Sequence, residues 1–189
     1  MVGPWRWSPS TIDGYPPWCK KVEEEPRVKC MSRQEKRLRF YCPELVGADG
    51  KPFQGMQEMG QIPKGTSDAD VESMMVIYVN SIDETNLPSI DAALVDGRFR
   101  YQCALKILPY LHAKSVLLMH DFWLRRDYHA VLEYYYVIGY ARSVVALKNR
   151  PDVVGKMTEG EERNLYRRFM KREHLSRYDI HRPSLQLPS

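Results

Sequence analysis

Two short apolar runs, Ala92-Ala-Leu-Val95 and Val116-Leu-Leu-Met119, each stop abruptly at ionisable residues, Asp96 in one case and His120-Asp121 in the other. Runs of that length with a hard polar stop read as strands of a well-covered sheet. Residues 99–111 between them place Cys103, Ala104, Ile107, Leu108 and Leu111 on one helical face, and Pro109 marks the fraying end of that helix. Strand, helix, strand in this order predicts two neighbouring parallel strands, 91–95 and 115–119, joined by a helical crossover.

The pattern extends to both sides. Residues 8–13 end in a strand-like run, Gly14-Tyr-Pro-Pro17 turns, and a helix is expected over 18–25, with proline favourable at its start. Residues 27–31 and 37–42 are candidate strands. The second alternates basic and apolar positions in the period-two manner of an edge strand, and Pro43 stops it. From 47 to 67 the chain carries five glycines and two prolines, the composition of a long irregular loop. Asp68 or Asp70 is placed to cap a helix over 71–79, although its β-branched tail leaves a strand ending at Val79 open. Beyond residue 119 the periodicity predicts a helix over 125–139 with Gly139 as its C-cap, then a strand over 142–147. Thr158-Glu-Gly-Glu161 has the form of a capping box ahead of a C-terminal helix to about His174, followed by a tail.

Composition narrows the class without fixing the function. At 189 residues, 43% hydrophobic and 28% charged, the chain suits one globular domain, and no apolar run approaches the ~20 residues of a membrane span. The N-terminal residues lack the features of a secretory signal or transit peptide, so a cytoplasmic home is expected. Cys19, Cys30, Cys42 and Cys103 include no C-x-x-C pair and no metal-spaced histidine, which predicts reduced thiols rather than a zinc site. The net charge of +4 is mild, and its distribution matters more. Residues 163–182 hold seven Lys or Arg against two acids, with Tyr166, Phe169 and Tyr178 interleaved. Such a segment either packs through Leu165 and Phe169 with a solvated basic face, or binds an acidic partner or nucleic acid through Arg167, Arg168, Lys171 and Arg172.

The chemistry concentrates at the predicted strand ends. Open α/β sheets bind ligands in the crevice beyond the carboxyl ends of their strands, where Asp96, His120 and Asp121 fall. A histidine titrates near neutrality and an acid can orient it, which suits a general base, but neighbours on an extended strand point to opposite faces. Structural alternatives stand beside each reading: an N-cap for Asp96, a cap or packing role for His120 and Asp121, and an Asx turn for Asp13 before Gly14. His129, Trp123 and Tyr134-Tyr-Tyr136 read as packing or surface groups.

The ordered set Thr11-Ile-Asp13, Trp18-Cys-Lys-Lys-Val22, Arg39-Phe-Tyr-Cys-Pro-Glu-Leu45, Ala93-Leu-Val-Asp-Gly-Arg-Phe-Arg100, Val116-Leu-Leu-Met-His-Asp121 and Tyr128-His129 resembles an uncharacterised branch of the class I S-adenosylmethionine-dependent methyltransferases. The resemblance covers roughly residues 11–147. It implies an α/β fold: an open, mostly parallel Rossmann-like sheet with helices on both faces, over 1–150, followed by the basic helix and tail of 151–189. It further implies S-adenosylmethionine as cofactor, with Asp13 on the ribose hydroxyls, Asp96 beside the cofactor, and His120 or Asp121 near a small-molecule or protein acceptor. Only ten residues precede Thr11, and they contain no G-x-G turn. The family's first strand and glycine-rich motif are therefore expected to be missing, giving an N-terminally incomplete fold, impaired cofactor binding and a methyltransferase-like pseudoenzyme. The alternative expectation is a non-catalytic module that docks through the basic C-terminal helix.

Overall fold

The computed structural model describes residues 10–12, 20–21, 24–26, 39–41, 43–53 and 61–152. Asp13, the 27–31 strand candidate and the basic C-terminal segment with Arg167, Arg168, Lys171 and Arg172 lie outside the described residues. The chain divides into two compact units, Met1–Asn86 and Leu87–Ser189.

In the first unit, β1 (Ser10–Ile12) and β2 (Arg39–Tyr41), each within an expected strand, pair in parallel with Thr11 opposite Phe40. Helix α1 spans Asp68–Asn80, so the strand alternative for its β-branched tail does not hold. Its N-cap is Ser67 rather than Asp68 or Asp70: the Ser67 hydroxyl accepts from the Asp70 N–H at 3.1 Å and donates to the Asp70 carboxylate at 2.6 Å. Asp70 also accepts from the Ala48 N–H at 2.8 Å, which fastens part of the expected irregular loop to the helix start. The approach leaves no room for a side chain at Gly47, where a Cβ would stand 2.7 Å from an Asp70 carboxylate oxygen. The Ser67 hydroxyl, then the Ala48 N–H, hold the Asp70 carboxyl below the ordinary carboxylate range.

The second unit is built on a four-stranded sheet in the order β3-β4-β6-β5, comprising β3 (Ile90–Val95), β4 (Leu111–Met119), β5 (Tyr135–Ala141) and β6 (Val144–Asn149). The β3–β4 pair is parallel, with Val95 beside Met119, and α2 (Arg100–Lys106) makes the crossover. β4 starts four residues before the expected Ser115. The Ser115 hydroxyl donates to Ile90 O at 2.6 Å and accepts from the His112 N–H at 2.8 Å, which stitches the irregular register at the strand starts.

Two expectations fail beyond β4. Residues 126–133 form a 3-10 segment, and the run Tyr135-Tyr-Val-Ile-Gly-Tyr-Ala141 is a strand, not the second half of a helix. Aromatic and β-branched side chains fit a pleated surface better than a helix, and that preference outweighs the helical periodicity read across the stretch. Gly139 accordingly sits at a register shift inside β5 instead of capping a helix. The hairpin partner β6 then runs antiparallel to both β5 and β4, so the sheet is mixed where the sequence pointed to parallel strands.

The core of this unit lies on one face of the sheet. Val95, Leu117, Met119, Tyr135, Val145 and Leu147 are buried there in cross-strand register. On the opposite face Leu94 is 63% exposed. Helix α2 and the 3-10 segment pack on each other and reach the sheet, burying Ala104, Leu105, Ala130 and Val131. The Tyr135 hydroxyl donates to Ala104 O, tying β5 to α2. Each fully buried Leu or Met contributes roughly 1.5–3 kcal/mol, which makes this face the main source of the unit's stability.

Candidate functional site at the ends of β3 and β4

The parallel pairing of β3 and β4 carries Asp96 and His120 to the same rim. Val95 and Met119 are register partners, and the His120 N–H donates to Val95 O at 3.2 Å, so the residue following each strand is held beside its neighbour. His120 Nδ1 lies 3.1 Å from Asp96 Oδ1. The contact joins two of the residues expected at the rim.

Asp121 reaches the same nitrogen by leaving the strand. Its φ of 55° is left-handed, which turns the carboxylate back instead of onto the opposite face of an extended chain, and Oδ1 comes within 3.5 Å of His120 Nδ1. Phe99, in the loop after β3, is left-handed as well, with φ 52°. Such conformations cost non-glycine residues of order 1 kcal/mol or more and persist where surrounding contacts enforce them.

The enforcing group is Arg100, the last residue of the Ala93–Arg100 motif and not among the site residues expected from the sequence. Its Nη1 donates to Asp121 Oδ2 at 3.0 Å and to His120 O at 2.8 Å, its Nη2 meets Asp96 Oδ1 at 3.0 Å, and its Nε donates to Gly97 O at 3.0 Å. The guanidinium stands 5.6 Å over the ring of Tyr128 and is only 12% exposed. The Asp96-x-x-x-Arg100 spacing was the available signal; its partner Asp121, 21 residues on, was not readable as one. Asp96 is not the N-cap of α2, a position held by Phe99 without a side-chain cap.

Electrostatics at the rim follow from this fork. Arg100 is the main reason the Asp121 carboxyl stays below the ordinary carboxylate range; partial burial opposes it, and the charges of His120, Arg100 and Arg125 add to it. Two carboxylates face one guanidinium, so the Asp96–Arg100–His120–Asp121 group is net negative while the imidazole is neutral. Among the described residues His120 Nε2 has no hydrogen-bond partner, and the side chain is 36% exposed. An imidazole with one nitrogen held by acids and the other open is equipped to take a proton from a bound molecule.

Other candidate residues fall into supporting roles. His129 is buried, with Nε2 3.1 Å from Phe122 O and its ring 4.8 Å from that of Phe122, a packing residue. Trp123 meets Phe122 and Tyr140 edge to face, and Tyr135 is fully buried while Tyr136 is exposed. Cys103 is half-buried, and its thiol, pushed up to about 12 by burial, approaches Arg98 O at 3.6 Å. No cluster of acids, histidines and cysteines suited to a metal ion occurs among the described residues. No helix among them is long and apolar enough to cross a membrane.

No family model and no curated protein sequence matches this chain. A solved structure does: the crystal structure of a methyltransferase-like protein from Silicibacter pomeroyi aligns over 85% of this chain and 75% of that one, with a TM-score of 0.61 and 19% sequence identity. At that identity the likeness is one of fold, and the chain has a methyltransferase-like α/β fold.

Proposed function

We propose that this chain is a methyltransferase-like protein whose reacting group toward the methyl acceptor is His120, oriented by Asp96 and Asp121. The observation that carries the reading is the open Nε2 of His120 beside two carboxylates at the carboxyl ends of adjacent parallel strands. His120 takes the proton that a small-molecule or protein acceptor gives up on methylation. Asp96 keeps His120 in place through Oδ1, which leaves Oδ2 for a ligand. S-adenosylmethionine, when bound, supplies the methyl group on a sulfonium, and the Asp96 and Asp121 carboxylates suit that cation. Asp13 is the further contact proposed for its ribose, since a carboxylate accepts from two vicinal hydroxyls.

Calorimetric titration of the full chain with S-adenosylmethionine tests the reading. Saturable binding that weakens in Asp13→Ala and in Asp96→Ala supports it. Heats that stay at the dilution level up to millimolar ligand sink it.

A further inference from the structure

The two ring nitrogens of His120 keep different company. Nδ1 faces two acceptors, Asp96 Oδ1 at 3.1 Å and Asp121 Oδ1 at 3.5 Å, while Nε2 meets none of the described residues. A carboxylate only accepts, so an unprotonated Nδ1 in that position would set lone pair against lone pair. A neutral imidazole free in water carries its hydrogen more often on Nε2. The surroundings here favour the opposite form.

What aims both carboxylates at Nδ1 is Arg100. Its guanidinium has five N–H donors, and four are committed: one to Gly97 O and one to Asp96 Oδ1 on the β3 side, two to His120 O and Asp121 Oδ2 on the β4 side. Tyr128 beneath the guanidinium fixes the plane of the fork. Asp96 Oδ1 is thereby shared between Arg100 Nη2 and His120 Nδ1, and Asp121 gives one oxygen to each. A lysine at this position, with one nitrogen and no planar fork, reaches one side of the rim or the other.

We infer that Arg100 is a positioning residue that fixes His120 as the Nδ1–H tautomer and so makes Nε2 the basic atom of the site. The inference takes its functional meaning from the reading of His120 as the group that meets the acceptor. Its test needs neither cofactor nor acceptor.

Nitrogen-15 NMR of the ligand-free full chain, at a pH where the ring is neutral and with His120 assigned by its loss in His120→Gln, reports which nitrogen carries the hydrogen. The expected wild-type spectrum is that of an Nδ1–H imidazole. Arg100→Lys, with the backbone amide spectrum otherwise preserved, is expected to move the Nδ1–H to Nε2–H ratio by on the order of tenfold, equivalent to one net hydrogen bond. An Nε2–H imidazole in the wild-type protein overturns the inference without any variant. So does a folded Arg100→Lys protein whose His120 keeps the wild-type ratio. Should Arg100→Lys fail to fold, Tyr128→Leu, which loosens the guanidinium plane without removing a rim hydrogen bond, is expected to shift the ratio in the same direction, and an unmoved ratio there also overturns it. Absence of methyl transfer in a protein that shows the Nδ1–H form removes the transfer reading alone.

Discussion

β3 and β4 carry a histidine–aspartate pair at each end, and the two pairs differ in every respect that matters for chemistry. At the strand starts, His112 Nε2 lies 2.8 Å from Asp91 Oδ1, and its Nδ1 accepts from the Lys114 N–H at 3.2 Å. Both ring nitrogens are engaged, Asp91 is largely exposed, and no cation backs it in the contacts described. At the strand ends, His120 keeps Nε2 open, and its acids are bridged by a nearly buried arginine and turned by a left-handed Asp121. A His–Asp contact alone therefore says little. What separates a satisfied strand-end fastening from a pair able to exchange a proton with a ligand is the free nitrogen and the shell that holds the acid.

The sharpest way to break this comparison is to remove each histidine in turn. His120→Gln is expected to lower methyl transfer by about 10²–10⁴-fold, the usual loss of a general base, while His112→Gln changes it by less than about twofold. Transfer of label from S-adenosylmethionine to a pool of small molecules and peptides measures both, and equal losses would erase the distinction. The next effect is on stability. Arg100→Gln leaves Asp96 and Asp121 without their charge partner and is expected to lower unfolding free energy by about 2 kcal/mol, discounted for the exposure of the acids. Asp91→Asn, which breaks an exposed pair, is expected to cost below about 1 kcal/mol; urea denaturation of the two variants ranks them.

A smaller difference appears in acid. Because the folded state lowers the Asp121 carboxyl, its contribution is fully present above the unfolded carboxylate range near pH ~4 and is lost as pH falls through the lowered native value. Urea midpoints measured from pH 6 downward should fall less steeply for Asp121→Asn than for the wild type, and equal slopes would remove Asp121 as a source of the acid loss. The smallest expected effect is at Cys103, in the same helix as Arg100. With its thiol at about 12, alkylation at pH 8 should be slow in the native protein and faster in Arg100→Gln, provided the start of α2 loosens when the fork is lost. An unchanged alkylation rate would show that α2 holds without Arg100.

Much of this is legible in the amino-acid sequence. The runs ending at Val95 and Met119 marked two strands whose ends carry Asp96, His120 and Asp121, because an apolar run with a hard polar stop has few other readings. β5 is hard to read because Tyr134 to Gly139 also satisfies a helical spacing, and only the aromatic and β-branched content argues for a strand. The antiparallel placement of β6 depends on a hairpin that disappears once β5 is taken as helix. Arg100 was hidden for a different reason. Its role comes from contacts 20 and 21 residues away, which no local pattern encodes.

That separation bears on how the domain assembles. Helix α2 begins at a residue with no side-chain cap before it and a cation, rather than an acid, in its first turn, so it gains little from its own sequence. The groups that secure it, His120 O and Asp121, arrive only when the far end of β4 has docked beside β3. Closing that loop precedes any return from it, which places completion of the rim after strand pairing on the folding pathway. Amide exchange should accordingly show the first turn of α2 and residues 120–121 gaining protection together, and later than the middle of β4.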